Sequence, residues 1–441
     1  MEPTLSPAAA GVLAGLEAAG FRAWVVGGCV RDALRGESPH DWDVCTDARP
    51  EQVAACFART LPTGLVHGTV TVLWEHTPVE VTTLRAESGY SDGRRPDHVE
   101  FVTDLNRDLA RRDFTVNAMA WNPRTGLADP FDGRADLAAG VLRAVGQPEA
   151  RFAEDALRIL RGLRFAARLG FAIDPATARA MERQAPRLRA IAPERVQAEL
   201  DGLVLGAAAE EVLARWPAVL EPVLPEIAPA VGFDQHNHHH CLDVWGHTAR
   251  AVGSAAADRA VRLTMLLHDL GKPDCFSRGP DGVGHFYGHA QYSAELAQTI
   301  LTRLRYDNDT RDRVVRLVRL HDAPLPVEEK TARRLLNRLG ERDARALIAV
   351  HRADTLALAP AWHDRLAELG ALETLLDEQL AQDACFSLRQ LAVNGRDVLA
   401  AGAAPGPAVG RALDALLQRV LAGEIPNDRA VLLAELKNLI Q

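Results

Sequence analysis

The chain has only six cysteines in 441 residues, Cys29, Cys45, Cys56, Cys241, Cys275 and Cys385, and no two of them form a CxxC pair. Neither a zinc knuckle nor a disulfide framework is therefore expected; a reducing cytoplasm suits this usage, and each thiol reads as a small buried residue. Long apolar runs are also missing. Stretches such as Ala251 to Ala257 are short and rich in Ala and Gly, and the N-terminus lacks a basic then strongly apolar leader. No membrane segment is expected, and a cytoplasmic location is. There is no excess of positive charge, since the formal balance is −9, which argues against a nonspecific nucleic-acid coat. Strict internal repeats and low-complexity tracts beyond an alanine bias are absent as well, which excludes solenoid arrays.

What is present is unevenly placed. Between Val141 and Leu200 eleven arginines face seven acids, a local balance of +4 inside an acidic chain, so RNA contact is expected there first. A chain 47% hydrophobic and 25% charged can bury several cores, and two to four domains are expected.

Along the chain, Ser6-Pro7 reads as an N-cap and first-turn proline, with a helix running to about Ala19 and stopping at Gly20. Phe21 to Val26 reads as a strand, Gly27-Gly28 as a break, Val30 to Leu34 as helix and Asp41 to Thr46 as a second strand. Thr69 to Trp74 and Val79 to Leu84 suggest an antiparallel hairpin. Glu87 to Asp97 has glycines, a proline and charges without apolar period and reads as a mobile loop. From about Asp136 the pattern is helical almost to the end, mostly bundle core.

Asp41 and Asp43 are two apart on the expected strand, so both carboxylates point to one face and can hold one hard cation such as Mg2+. Alone, an Asp-x-Asp pair is more often a solvated strand end. Its neighbour raises its value: Gly27-Gly28-Cys29-Val30-Arg31-Asp32 sits where strand turns into helix, and glycines there let backbone N–H groups approach phosphate.

Five stretches in order resemble the class II tRNA nucleotidyltransferases and their bacterial poly(A) polymerase relatives. They are Gly27 to Asp32, Asp41-Trp42-Asp43, Arg111-Arg112-Asp113-Phe114-Thr115-Val116-Asn117-Ala118, Glu154-Asp155-Ala156-Leu157-Arg158-Ile159-Leu160-Arg161, and Glu194-Arg195 with Glu199. The resemblance implies that Asp41 and Asp43 are catalytic, Mg2+-binding carboxylates, and that Gly27 and Gly28, with Arg31, hold the triphosphate. It implies that Arg111, Arg112, Asp113 and Asn117 grip the ribose and phosphate of the incoming nucleotide. Asp155 and Arg158, with Arg161 beside them, would meet the base of CTP or ATP. Asp155 and Arg158 are three apart on an expected helix and so share a face. A carboxylate accepts from the exocyclic amine of cytosine or adenine while a guanidinium donates to the ring nitrogen; uracil and guanine present the opposite pattern. Glu80 is a candidate for an additional carboxylate, with a structural ion pair as the alternative. In the family, the loop after that strand helps the switch from C to A addition, and Arg85 to Asp97 has full length.

Further on, His247, His268-Asp269 with Leu270-Gly271-Lys272, His289, His321-Asp322 and Asp354 form a series that resembles the HD phosphohydrolase superfamily. The resemblance implies His247, His268, Asp269 and Asp354 as ligands of a divalent transition metal such as Mn2+, Ni2+ or Co2+, with His289 and His321 as a second metal group or a phosphate holder. Such a metal would activate water for phosphoester hydrolysis. A folded but silent module is the bland alternative, as an adventitious metal patch is for His236 to His240. The segment from Val393 to Asn427 resembles the tail of HD-containing members, where Gly406-Pro407 at a helix start would take a tRNA phosphate or simply turn the chain.

The expected architecture is α+β: a polymerase-β-like mixed-sheet head over 1–140, a helical neck for base recognition and tRNA over 141–205, an HD-type body over 206–365, and a helical tRNA-binding tail over 366–441. The expected activity is addition of CCA to tRNA 3′ ends from CTP and ATP. An A-adding enzyme or poly(A) polymerase shares the motifs, and a phosphohydrolase with a noncatalytic RNA-binding head is the reading from another class. Retention of mutually repelling carboxylates at Asp41 and Asp43 argues against the last.

Overall fold

The computed structural model describes residues 3–64, 68–89, 98–382 and 385–440, and the chain forms two compact units, Met1–Ala228 and Pro229–Gln441. In the first unit, helix α1 (Pro7–Ala18) starts where the sequence places it. Ser6 Oγ accepts from the Ala9 N–H at 3.2 Å, and Pro7 fills a first-turn position whose N–H would have had no partner. Then follow β1 (Ala23–Val26), α2 (Gly28–Leu34), β2 (Asp43–Thr46), α3 (Pro50–Cys56), β3 (Thr60–Gly64), β4 (Thr69–Trp74), β5 (Thr77–Thr83), β6 (Arg85–Ser88), β7 (His98–Phe101), α4 (Leu105–Ala110), β8 (Ala120–Asn122), β9 (Gly126–Ala128) and α5 (Gly133–Ala139).

Seven of these strands form one mixed sheet in the order β3-β4-β5-β2-β1-β8-β9. All four residues of β1 are buried, so this inner strand reads as an apolar run rather than an alternation. Strand β2 is antiparallel to β1 and parallel to β5, with Asp43 in register with Glu80. Helix α1 covers one face, its Leu13 and Leu16 joining Val25, Val44 and Val81 in one core. The β4–β5 hairpin is as expected. Two readings need correction. Strand β2 begins at Asp43, so Asp41 precedes it, and Glu87 and Ser88 belong to β6, which pairs antiparallel with β7, rather than to a loop. Residues 90–97 of that loop lie outside the described residues.

After the sheet the chain is mostly helical, as its periodicity predicts, with a short parallel pairing of β10 (Val141–Leu142) with β11 (Ala172–Ile173) and a short antiparallel one of Ser277–Arg278 with Gly284–His285. The helices are α6 (Pro148–Glu154), α7 (Leu157–Leu169), α8 (Pro175–Gln184), α9 (Pro193–Val204), α10 (Ala209–Arg215) and α11 (Pro217–Leu220). The continuous helix expected through Asp155 and Arg158 is broken: Asp155 has extended backbone (φ −144°, ψ 106°) between α6 and α7. Its side chain accepts from the Leu157 N–H at 3.0 Å, the job of a capping carboxylate at a helix start.

The second unit is built on α12 (Val244–Ser254), α13 (Arg259–Leu267), α14 (His289–Arg303), α15 (Asn308–Leu320), α16 (Glu329–Ala357) and α17 (Arg365–Ala381), with α18 (Gly395–Ala400), α19 (Pro407–Ala422) and α20 (Arg429–Ile440) behind. Helix α16 is kinked at Gly340, whose φ of +73° no β-branched residue would tolerate. Leu416, Leu417, Leu421, Leu432 and Leu436 bury the facing sides of α19 and α20. The mixed α+β class expected from the sequence is the one observed.

Leu16 is fully buried between α1 and the sheet. Leu16→Ala should lower the unfolding free energy of the first unit by about 2–5 kcal/mol, read as a shift in the urea midpoint at unchanged slope.

Candidate active site and candidate metal centre

In the first unit a cavity of about 620 Å³ is lined by Gly27, Gly28, Arg31, Asp43, Arg111, Arg112, Asp113, Asn117, Asp155, Arg158 and Arg161, and also by Arg85, Arg164, Phe165, Arg168 and Arg195. Nine of the lining side chains are arginines and three are aspartates. The cavity lining thus carries a local excess of positive side chains inside an acidic protein. Of the sequence-predicted head residues, Asp41 and the further candidate Glu80 are not on the cavity wall.

At its acidic edge, Asp43 sits at the start of β2 in register with Glu80. Burial raises the Asp43 carboxyl above its ordinary value, Glu80 and Asp41 push it further up, and Arg112 opposes them. A carboxylate kept beside two others is short of a cation, which fits the Asp-x-Asp reading. Among the described residues, however, no third side-chain ligand closes a ready-made cage there; groups of three or more convergent ligands lie only in the second unit. An octahedral ion at this edge would take its remaining ligands from water and phosphate.

The glycine turn works differently from expectation. The Gly27 N–H is already donated to the Met119 carbonyl at 3.0 Å. What demands glycine is its φ of +83° and the Arg112 Nη1, which would lie 2.8 Å from a Cβ. Arg31, buried, is held by Asp32 (2.8 Å) and by Asn117 Oδ1 (2.6 Å). Asp113 accepts from Arg161 at 2.8 Å, from Asn117 Nδ2 at 3.2 Å and from the Phe114 N–H at 2.8 Å. Although burial pushes its carboxyl up, Arg161 and these donors outweigh it and hold the pKa below the ordinary value.

Two carboxylates were not singled out from the sequence. Buried Asp108, on α4, accepts from Arg111 at 2.7 Å and pairs with Arg112 at 3.4 Å. Glu87, on β6, accepts from both Arg85 (2.7 Å) and Arg111 (3.2 Å). The signal for Asp108 was its spacing of three and four residues before the two arginines, one helical turn. For Glu87 there was none, because a loop reading covered it.

On the base side, Asp155 and Arg158 line the same cavity, but through a junction rather than one helix face. Asp155 Oδ2 accepts from Arg195 at 2.7 Å. Arg158 donates to Glu154 Oε2, which Arg151 also engages at 2.8 Å, and to the carbonyls of Arg151 (3.1 Å) and Arg111 (3.0 Å). Both base-side groups are thus fixed before any ligand arrives.

In the second unit the predicted ligands converge. His247 comes from α12, His268-Asp269 from the end of α13 and Asp354 from α16, and their ligand atoms lie within 4.8 Å of one another; Asp269, His289 and His321 form a second such group. Asp269 divides between them. Its Oδ2 is 3.1 Å from His268 Nε2 and 3.5 Å from His247 Nε2, while its Oδ1 is 3.5 Å from Nε2 of both His289 and His321.

His268, His289 and His321 each turn Nδ1 toward the carbonyl three residues earlier, at 2.7, 2.8 and 2.7 Å. An Nδ1–H donated to a carbonyl fixes the tautomer with a lone pair on Nε2, the arrangement typical of metal-binding histidines. Those lone pairs crowd: His289 Nε2 is 3.2 Å from His321 Nε2, and His268 Nε2 is 3.3 Å from His247 Nε2. Only a proton or a cation makes such approaches favourable. Accordingly, although burial lowers the His268 pKa, Asp269 and Asp354 raise it to about 9. The residues therefore fit the divalent metal that the motif implies.

Lys272, quoted within the motif but given no role by sequence reasoning, is buried with Nζ 2.7 Å from Asp269 Oδ2. It donates to Gln235 Oε1 at 2.9 Å and to His240 Nε2 at 3.3 Å. Asp322 is not in either ligand group; it is exposed and lines another cavity. The residues His236 to His240 also form no ligand group among the described residues.

Because the Asp43 pKa is raised in the folded protein, the folded state binds more protons than the unfolded one as pH rises from the ordinary value of 3.8 to the raised one, and stability falls through that window. At neutral pH Asp43→Asn should therefore raise Tm in the absence of divalent ions. Mg2+ should raise Tm for the unsubstituted protein and not for the variant, a comparison for thermal-shift measurement.

Comparison with known proteins identifies the family. Residues 23–143 match a family model described as the poly(A) polymerase head domain, residues 170–231 one described as a probable RNA and SrmB-binding site of polymerase A, and residues 285–436 one described as a putative tRNA nucleotidyltransferase domain 2. The CCA-adding enzyme of Limosilactobacillus fermentum is 35% identical over 98% of this chain and 96% of its own length. That of Levilactobacillus brevis is 36% identical over 96% and 95%. Among solved structures, the Bacillus stearothermophilus CCA-adding enzyme in complex with CTP has a TM-score of 0.74 at 30% identity, covering 99% of this chain and 98% of that one. The Thermotoga maritima enzyme complexed with tRNA, 17% identical with a TM-score of 0.63 over 99% and 97%, shares the fold. With relatives this similar along nearly its whole length, the chain is a nucleotidyltransferase and belongs to the class II CCA-adding enzyme and poly(A) polymerase family.

Proposed function

We propose that the protein adds C and A to the 3′ end of tRNA from CTP and ATP without a nucleic-acid template. The observation that carries this reading is one cavity lined together by Gly27, Gly28, Asp43, the arginines and the Asp155–Arg158 pair. Full-length relatives named CCA-adding enzymes, and a CTP complex among the similar structures, support it.

In this reading the 3′-hydroxyl oxygen of the tRNA loses its proton to solvent and bonds to the α-phosphorus of the bound nucleotide, and the α–β phosphoanhydride bond breaks to release pyrophosphate. Asp41 and Asp43 would hold Mg2+, which would supply neutralisation of charge on the phosphates. Gly27 keeps the turn narrow enough for phosphate to approach α2, and Gly28 stands at the helix start. Arg31, Arg111, Arg112 and Arg161, oriented by Asp32, Asp108, Glu87 and Asp113, bind phosphate and ribose together with Asn117. Asp155 accepts from the exocyclic amine of C or A, and Arg158 donates to the adjacent ring nitrogen. Arg195 and Glu154 fix the two, so the selection rests on a rigid pair of protein groups. The head over 1–140 carries the chemistry, the neck over 141–205 the base recognition, and the neck and the tail over 366–441 contact tRNA.

The second unit contributes metal-dependent phosphoester hydrolysis, carried by the part of the expected HD-type body that lies within it, residues 229–365. His247, His268, Asp269 and Asp354 would hold one divalent transition metal, and Asp269, His289 and His321 suit a second. Such metals would activate water against a phosphoester.

With tRNA ending before CCA, after C and after CC, labelled CTP should enter the first two and ATP the third. Incorporation of ATP alone at the CC end marks an A-adding enzyme, and runs of A on any end a poly(A) polymerase. Asp43→Ala should cut incorporation on the order of 100-fold or more. Separately, His268→Ala should remove one Mn2+ equivalent from the stoichiometry measured calorimetrically, whereas Asp43→Ala should leave the second-unit binding intact; unchanged Mn2+ uptake by His268→Ala would refute the ligand assignment.

A further inference from the structure

The second unit has a cavity of about 820 Å³ that neither reading above uses. Small organic molecules are held in cavities of about 300–1,000 Å³ with mostly apolar walls and a few polar groups. Five leucines line this one, Leu320, Leu325, Leu335, Leu339 and Leu347, together with four cations, Lys330, Arg334, Arg338 and Arg365, and two acids, Asp322 and Glu368. Among the described residues no aromatic side chain lines it. The kink in α16 shapes it: Leu335 and Leu339 precede Gly340 and Leu347 follows, so both halves of one helix reach the same cavity.

Its charge is left unmatched. Lys330, Arg334 and Arg338 follow one another at intervals of four on α16 and so share a helix face, where like charges repel. Elsewhere on that helix arginine is matched: Arg333 pairs with Glu329 at 3.5 Å, Arg345 with Asp377 at 2.6 Å and Arg352 with Glu373 at 2.7 Å. Lys330 has Glu328 at 2.7 Å, but among the described residues Arg334 and Arg338 make no ion pair. Arg365 donates to His351 Nδ1 at 3.1 Å. A guanidinium cannot accept, so that ring nitrogen carries a lone pair, and a neutral imidazole orients Arg365 without cancelling its charge.

We infer that this cavity binds a small anionic amphiphile, a carboxylate or phosphate monoester head on an aliphatic body, with the head on Arg334, Arg338 and Arg365 and the body against the leucines. RNA phosphates need cations but no apolar chamber, and unstacked bases need the aromatic faces that this lining lacks. None of the lining residues belongs to either group of convergent histidines and aspartates. The site therefore stands whether or not the second unit hydrolyses phosphoesters.

The test is calorimetric titration of the full chain with decanoate and decyl phosphate, below micelle-forming concentrations, and with acetate and inorganic phosphate as the heads alone. The better decyl probe should bind on the order of 100-fold or more tightly than its head, because each buried methylene contributes. Tighter decanoate assigns a carboxylate head, and tighter decyl phosphate a phosphate one. Arg334→Ala/Arg338→Ala, at two exposed positions, should weaken that probe on the order of ten-fold or more, the scale of a lost charge-assisted hydrogen bond. Arg342→Ala/Arg345→Ala, which removes equal charge from the same helix outside the cavity lining, should leave it unchanged. No saturable site for either probe, equal losses in the two double variants, or heads that bind as tightly as the decyl compounds would overturn the proposal. So would weaker tRNA binding by Arg334→Ala/Arg338→Ala with decyl-probe affinity unmoved, which would mark the face as one for RNA phosphates.

Discussion

Groups that repel one another are held together in both units of this protein, and most of what surrounds them exists to make that tolerable. In the head, Asp43 faces Glu80 across a parallel strand pair and has Asp41 just upstream. In the second unit, imidazole nitrogens whose partner atoms are committed to backbone carbonyls point their lone pairs at one another. Water would separate such groups; the sheet register and the helix ends do not allow it. The stored repulsion is what a divalent cation relieves, so affinity for the ion and the rigidity of the scaffold are two aspects of one arrangement.

The arginine-lined cavity follows the opposite logic. A protein of net charge −9 has little long-range attraction for polyanions. It gathers arginines around one volume and fixes them with carboxylates behind: Asp32 on Arg31, Asp108 on Arg111 and Arg112, Asp113 on Arg161, Glu154 on Arg158, and Glu199 on Arg164. Each carboxylate reduces the charge the ligand sees and in return removes the rotamer freedom that a long side chain would lose on binding.

How much of this was readable in the linear sequence varies with how local the cause is. Helix α1 and its cap, the β4–β5 hairpin and the glycine turn follow from near-neighbour chemistry and stand where the residues place them. The series from His247 to Asp354 was legible as residue types at intervals, and its histidines and Asp269 and Asp354 converge. What escaped depends on contacts between distant segments. Lys272 bridges Asp269 to Gln235 and His240, Glu87 joins arginines from two elements, and the Gly27 N–H goes to Met119. The break at Asp155 escaped for another reason: the apolar period of α7 runs back through it smoothly, and only the backbone angles show that the helix restarts.

That restart gives Asp155 two loyalties. One carboxylate oxygen takes the first free amide of α7, and the other takes the guanidinium of Arg195 on α9. A nucleobase amine that draws on the same group must share it with the opening turn of the helix carrying Arg158, Arg161, Arg164 and Arg168. In the proposed role of Asp155, reading the base and setting the pitch of the arginine row would be mechanically joined, and a wrong base that leaves Asp155 undisturbed would leave the whole row in its resting posture.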